Sequence, residues 1–192
     1  MNADGLLPDP VAAELLARWS EPHRRYHSRT HLGDGLEALD ILQAGRLERV
    51  AFWFHDAVHR NASPDDELAS AALARDLLAH LPIAEVDEVC RLILVTVDHA
   101  PRADDAAGAR MADADLHGLG LPWERYRANV AAIRAELPTL GTPEWAQRRR
   151  RFVERMLKRG SVFNTPKGLA LWEHQARINL QAEADQLSAS SW

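Results

Sequence analysis

The doublet His55-Asp56 is the first feature of the sequence that could bind a metal ion. An imidazole nitrogen beside a carboxylate oxygen suits a borderline or hard divalent cation such as Mn, Mg, Fe, Co, Ni or Zn. By itself such a pair is usually only a polar pair at a helix edge. Here His31 precedes the doublet, and Asp113 and Asp115 follow it. Imidazoles and carboxylates from separate elements can surround one cation and leave positions for water and substrate, so the sequence predicts a metal centre.

The residues of this predicted centre fall on separate predicted helices. Ser28 is positioned to cap a helix that carries His31 and ends near Gly45. Apolar residues spaced i, i+3, i+4, i+7 and i+11 predict an amphipathic helix over residues 47–58, with the doublet at its edge. A shorter helix follows and carries Asp113 and Asp115. One predicted helix before the doublet and one after it would therefore bring their ligand side chains to the doublet.

The rest of the chain is also predicted to be helical. Further helices are expected over residues 10–20, from a cap at Asp65 or Asp66, over 86–97, after Pro122 and Pro143, and over 169–187. Glycines inside the second helix, Gly33 and Gly35, cost about 1 kcal/mol each relative to Ala, which predicts a close approach of another element there. The sequence shows no β pattern. We expect a single all-α domain over residues 1–192, a bundle of eight or nine helices with its core over 10–187 and a frayed tail at 188–192.

Composition excludes several classes of protein. The chain has 192 residues, 46% hydrophobic and 27% charged, as expected for an ordinary globular domain. The net charge of −5 argues against a dedicated nucleic-acid-binding protein. With no apolar run approaching 18 residues and no secretory signal, we expect no membrane span and a cytoplasmic location. The single cysteine, Cys90, means that any metal site must be built from nitrogen and oxygen.

Several segments together are similar to one protein superfamily. They are YHSRTH at 26–31, WFHDAV at 53–58, Asp66-Glu67 followed by Ser70-Ala71, and DADL at 113–116. In this order they resemble the HD superfamily of metal-dependent phosphohydrolases, and more closely a bacterial branch known mainly by prediction. A similar tail occurs at Glu173, Ala176-Arg177 and Asn179-Leu180, so the resemblance spans residues 23–187. The chain departs from the pattern at Asp66, where an Asn is expected, and at His59, where a Tyr is expected.

The resemblance implies an all-α fold of the HD type and a set of metal ligands. These would be His31, His55, Asp56 and one aspartate of the DADL segment. Asp113 is the preferred fourth ligand because the superfamily's last ligand often follows a Leu-Ala pair, which Met111-Ala112 approximates; Asp115 is the alternative. Helix geometry turns these two side chains about 200° apart, so they cannot both face one ion.

Other polar residues near the predicted centre are candidates for supporting roles. His27 lies one helical turn from His31 and is a candidate partner of a ligand or a ligand of a second ion. His99, like Asp56, is a candidate catalytic residue, and Glu67 is a candidate acid or base. Guanidinium groups match phosphate oxygens, so the nearby Arg24, Arg25 and Arg29 are candidate substrate contacts. The basic run at 148–151 is expected to be a solvated helix face.

The resemblance implies a hydrolase that uses a metal-activated water to cleave a phosphomonoester or phosphoanhydride. Its substrate would be a nucleotide or another small phosphorylated metabolite. Two alternatives stay open: a di-iron oxygenase, if His27, His99 or Asp115 completes a second iron site, and a non-catalytic metal- or ligand-binding module. The sequence also leaves open a homo-oligomer.

Overall fold

The computed structural model describes residues 5–189, and this part of the chain is helical with no β-strand. It contains ten α-helices, with short 3₁₀ turns at Val95–Val97 and His117–Gly120. The helices are α1 (Asp9–Arg18), α2 (Arg29–Ile41), α3 (Arg46–Phe54), α4 (Asp65–Leu77), α5 (Ile83–Leu94), α6 (Ala106–Leu116), α7 (Trp123–Ala135), α8 (Thr142–Lys158), α9 (Pro166–Leu171) and α10 (Glu173–Ala189). The predicted all-α fold is confirmed.

The described helices number ten rather than eight or nine partly because the predicted last helix is divided. Thr165 accepts a hydrogen bond from the backbone N–H of Gly168 and so caps α9, whose first residue is Pro166. At Trp172 the backbone leaves the helical region, with φ at −123°, and α10 begins at the next residue. The α10 helix continues through Ala189, where a frayed tail is expected. Residues 190–192 of that tail lie outside the described residues.

Helix α3 lies at the centre of the bundle and contacts α2, α4, α5 and α6. All five residues from Val50 to Phe54 are buried, including Phe52 and Trp53, so the helix buries more than the single apolar face that the periodicity predicts. The α2 helix packs closely on it at Gly35, where a Cβ atom would lie 1.9 Å from the ring of Phe52. The close approach predicted from this glycine is confirmed.

Two polar side chains fix the loops on either side of the doublet. The predicted cap of α2 is confirmed, because Ser28 Oγ accepts a hydrogen bond from the backbone N–H of Thr30. The predicted cap of α4 by Asp65 or Asp66 is wrong, since no side chain caps that helix. Asp66 instead accepts hydrogen bonds from the backbone N–H groups of Arg60 and Ala62. It therefore fixes the turn that follows the doublet.

Within residues 5–189, no helix has the length and apolar character needed to cross a membrane.

Candidate metal centre

Four side chains with nitrogen or oxygen ligand atoms meet where α2, the end of α3 and α6 come together. His31 comes from α2 and Asp115 from the last turn of α6. The doublet follows α3 directly: the helix ends at Phe54, and His55 is its C-cap. His55 and Asp56 thus lie beyond the helix rather than on its edge, and both can turn toward the same point.

The ligand atoms of these four residues lie close to the two imidazoles. His55 Nε2 lies 3.3 Å from His31 Nε2, 3.1 Å from Asp56 Oδ2 and 3.4 Å from Asp115 Oδ1. His31 Nε2 lies 3.0 Å from Asp115 Oδ1 and 3.7 Å from Asp56 Oδ2. Ligands about 2.1 Å from a common ion lie roughly 3.0–3.4 Å apart. One atom each from His31, His55 and Asp56 lies within 4.8 Å of the other two, so these three side chains could hold one divalent cation. Asp115 Oδ1 lies beside both imidazoles and is the candidate fourth ligand.

The backbone holds the His55 ring in the orientation that a metal ligand needs. His55 Nδ1 lies 2.9 Å from the carbonyl oxygen of Phe52, to which it donates a hydrogen bond. Because Nδ1 carries this proton, Nε2 is the atom available to the cluster. Aromatic rings close the other side of the imidazole: Trp19 at 5.6 Å and Phe52 at 4.3 Å between ring centroids.

Burial and close charges shift the pKa values of the cluster. Burial alone would lower the pKa of His55, but the Asp56 and Asp115 carboxylates outweigh it and raise that pKa well above its usual value. Burial would likewise raise the pKa of Asp115 and of Asp56, yet the charge of His55 keeps both below their usual range. A protonated His55 thus lies between two carboxylates, and this position suits a positive charge.

The structure does not bring Asp113, the preferred fourth ligand, to the cluster. Its two carboxylate oxygens accept hydrogen bonds from the backbone N–H groups and side chains of Asn164 and Thr165, at 2.7–3.0 Å. These donors lie in the loop between α8 and α9, where Thr165 also caps α9. Asp115, the alternative, takes the place at the cluster because the helix turns the two side chains apart.

His99 lies at the cluster, as predicted, but its contact is with a candidate ligand. Its Nε2 lies 2.7 Å from Asp115 Oδ2, while Asp115 Oδ1 faces the two imidazoles. The residue adopts a left-handed backbone conformation, with φ at 54°, and Arg159 donates a hydrogen bond to its carbonyl oxygen at 3.0 Å. His99 therefore fixes the orientation of Asp115.

The three arginines predicted to contact substrate have different surroundings: one is buried and two are exposed. The Arg24 guanidinium is buried and donates hydrogen bonds to the carbonyl oxygens of His27, Asp56 and Ala57. It therefore joins the loop before α2 to the doublet and is not available to a substrate. Arg25 is exposed and donates to the carbonyl oxygens of Pro22 and Arg24. Arg29 is exposed at the start of α2.

Glu67, the candidate acid or base, lies in the first turn of α4. Among the described residues, it shares no hydrogen bond or ion pair with the four candidate ligands. Its neighbour Ser70 has the clearer role, because its hydroxyl accepts a hydrogen bond from the backbone N–H of Val58 at 3.0 Å. The structure thus does not bring Glu67 into the centre.

A cavity of about 230 Å³ opens beside the cluster. Asp115, His99 and His27 line it on one side, and Arg148 lies on its wall. The basic run at 148–151 is therefore not only a solvated face, because Arg149 is buried in an ion pair with Glu183 and Arg148 lines the cavity. The remaining walls are largely apolar and include Tyr26, Tyr126, Val130, Ile133, Trp145 and Phe152.

His27 belongs to a second group of ligand side chains, with His59 and Glu136. The His27 and His31 rings lie 5.7 Å apart between centroids, so the two groups are neighbours. Sequence reasoning missed His59 and Glu136. The available signal was His59 itself, which stands where the resembling proteins are expected to have a Tyr. Glu136 lies at the end of the helix predicted after Pro122, and nothing in the sequence near it indicates a ligand.

Comparison with models of known protein families, with curated proteins and with solved structures finds no match for this chain. The resemblance to the HD superfamily therefore stays a prediction based on its five segments.

Proposed function

We propose that this protein is a metal-dependent phosphohydrolase that cleaves a phosphomonoester or phosphoanhydride of a small metabolite, with nucleotides as the first class to test. One observation carries the proposal: His31, His55 and Asp56 meet closely enough to hold one cation, with Asp115 against both imidazoles, beside a cavity that Asp115 and Arg148 line. Metal ligands and a phosphate-matching cation beside one cavity are the parts that hydrolysis of a phosphate ester requires.

The donor set fits a divalent cation. Two imidazole nitrogens and two carboxylate oxygens suit Mn, Fe, Co, Ni or Zn better than Mg, which prefers oxygen ligands alone. The two His Nε2 atoms lie 3.3 Å apart, a distance at which an N–H of one ring hydrogen-bonds the other nitrogen or a cation lies against both. A bound cation supplies Lewis acidity toward a phosphoryl oxygen and lowers the pKa of a water molecule that it holds.

The surrounding residues have separable tasks in such a reaction. Asp56, ionised and 17% exposed at its side chain, orients the attacking water by accepting a hydrogen bond from it. His99 acts through Asp115 and is a positioning residue. The Arg148 guanidinium offsets negative charge on the phosphoryl oxygens.

The cavity narrows the choice of substrate. Its volume of about 230 Å³ is below the roughly 300–1,000 Å³ typical of pockets for drug-sized ligands. Trp145 and Phe152 offer aromatic surface to the organic part of the molecule, as expected for a base or another flat ring. A small phosphate ester with an apolar or aromatic group therefore fits better than a polymer.

The test is phosphate release by the full chain, with Mn²⁺ or Co²⁺ added, over a panel of nucleotides, sugar phosphates and pyrophosphate. We expect turnover that stops when the cation is removed with a chelator. Asp56→Asn should abolish it, while Asp65→Asn, the same change at an exposed position in α4, should leave it intact.

Equal turnover in Asp56→Asn and the unmodified chain would overturn the mechanism. Cation binding without turnover over the whole panel would favour the non-catalytic binding module instead. Iron content with oxygen-dependent turnover would favour the oxygenase.

A further inference from the structure

His27, His59 and Glu136 form a second group of ligand side chains that the proposed hydrolysis does not use. They come from three separate segments: the loop before α2, the loop after α3 and the C-terminal end of α7. Glu136 Oε2 lies 2.6 Å from His27 Nδ1 and 3.4 Å from His59 Nε2, and the two imidazole rings are 4.1 Å apart between centroids. One ligand atom from each residue thus points into the same small volume.

The fold fixes Glu136 in a way that leaves one oxygen for this group. Its Oε1 atom accepts hydrogen bonds from three consecutive backbone N–H groups, those of Arg25, Tyr26 and His27, at 2.6–2.9 Å. Its side chain is fully buried. Because Oε1 is occupied by these donors, Oε2 is directed at the two imidazoles.

The imidazole of His59 has an unsatisfied nitrogen at this point. The residue is 8% exposed, and its Nε2 atom is buried without a hydrogen bond to any described residue. The backbone around it is well fixed, since His23 Nε2 lies 2.9 Å from the His59 carbonyl oxygen. A buried polar atom without a partner costs about 1–3 kcal/mol, so such an atom in a fixed position calls for a missing ligand.

Glu136 adds a carboxylate to the two imidazoles. Its Oε2 atom faces both His27 Nδ1 and His59 Nε2. A carboxylate oxygen with two imidazole nitrogens is a donor set that suits a divalent cation.

We propose that His27, His59 and Glu136 bind a second divalent cation, separate from the one at His31, His55, Asp56 and Asp115. Two imidazoles and one carboxylate form a ligand set that suits Zn²⁺ and leaves a position for water. The cation satisfies His59 Nε2 and compensates the buried carboxylate. It also joins three segments of the chain that flank the first centre, so its binding stabilises the folded protein. This inference does not depend on hydrolytic activity.

The test counts zinc ions. The full chain, stripped with a chelator, is dialysed against Zn²⁺, and bound zinc per chain is measured by mass spectrometry. We expect two ions in the unmodified chain and one in either His59→Phe or His55→Ala. The double variant should bind none. His80→Ala, which removes an exposed histidine in neither group, should still bind two and so controls for adventitious zinc on the surface.

A second measurement keeps the test independent of folding defects. Zn²⁺ should raise the Tm of His55→Ala, because only the second site remains, and should not raise that of the double variant. If His59→Phe does not fold by circular dichroism, Glu136→Gln replaces it, since its amide oxygen can still accept the three backbone N–H groups.

Two results separate this inference from the proposed function. One zinc ion per chain, lost in His55→Ala but kept in His59→Phe, would overturn the second site and leave the first intact. One ion lost in His59→Phe but kept in His55→Ala would support the second site and contradict the first.

Discussion

Asp113 and Asp115 are two carboxylates of α6, two residues apart, and the fold gives them opposite surroundings. Asp113 is held by four hydrogen bonds from Asn164 and Thr165. Asp115 instead lies among three imidazoles, those of His31, His55 and His99. One carboxylate fixes a loop, and the other faces the candidate metal centre.

Their electrostatics differ as well. Burial raises the pKa of Asp113, and its hydrogen bonds offset that effect only in part. Burial would also raise the pKa of Asp115, but the charge of His55 and hydrogen bonds from the histidines lower it well below its usual value. The comparison shows that neighbours distant in the sequence decide what a buried aspartate does, because they supply either neutral donors or positive charge.

The largest effect is expected from Asp115→Asn. Loss of a carboxylate ligand should weaken Mn²⁺ binding by about 100-fold or more, since even residues behind a ligand contribute 10- to 100-fold. Calorimetric titration of the chain with Mn²⁺ measures this, and Asp113→Asn is the matched control that should bind as the unmodified chain does. The reverse order of affinities would show that the two carboxylates have been assigned to the wrong roles.

Asp113→Asn should instead destabilise the fold. An amide cannot accept all four hydrogen bonds, and one buried group left unsatisfied costs about 1–3 kcal/mol. Urea unfolding of the metal-free chain measures the loss, with exposed Asp65→Asn as a control expected to change stability by less than about 0.5 kcal/mol. If Asp113→Asn is as stable as that control, the loop does not depend on Asp113.

Arg148→Ala tests the cavity on the Asp115 side. Arg148 lines the cavity, and removal of a charged contact to phosphate should raise KM about tenfold with kcat changed less. Arg151→Ala removes an exposed arginine from the same helix and should leave KM unchanged. Steady-state kinetics with the best substrate of the panel gives KM for both variants. Equal KM values would show that Arg148 does not contact the substrate.

The smallest expected effect is on the pH dependence of the loop that Asp113 holds. Glu173 holds the same loop through the backbone N–H groups of Val162 and Phe163 and pairs with Arg177. Burial raises the pKa of Glu173, but these contacts outweigh it and lower that pKa. Its contribution is therefore present above the usual glutamate pKa and is lost as pH falls through the lowered value. Asp113, whose pKa is raised, has the opposite sign: acid relieves the cost of its buried charge.

Urea midpoints at pH 6 and pH 4 separate the two carboxyl groups. Glu173→Gln should lose less stability on acidification than the unmodified chain, and Asp113→Asn should lose more. Parallel losses in all three proteins would mean that neither carboxyl contributes to the pH dependence of stability.

Much of the fold follows from local sequence. Periodic apolar residues predict the helices, Ser28 predicts the start of α2, and Gly35 predicts the close packing of α2 on α3. These features depend on residues within a few positions of one another, so a single sequence contains them. The break at Trp172 was not predictable in this way, because it separates two segments that are both helical.

The candidate site also has some features that follow from the sequence and others that depend on how the helices pack. The sequence alone predicted the residue types of the candidate centre, through His31 and the doublet His55-Asp56. Its single cysteine also limits any such centre to nitrogen and oxygen ligands. Only the tertiary structure decided that Asp115 rather than Asp113 faces them, and that Glu136 joins His27 and His59. The physical reason is distance along the chain: helix geometry sets the angle between two side chains, but which of them meets an imidazole depends on how α2, α3 and α6 pack.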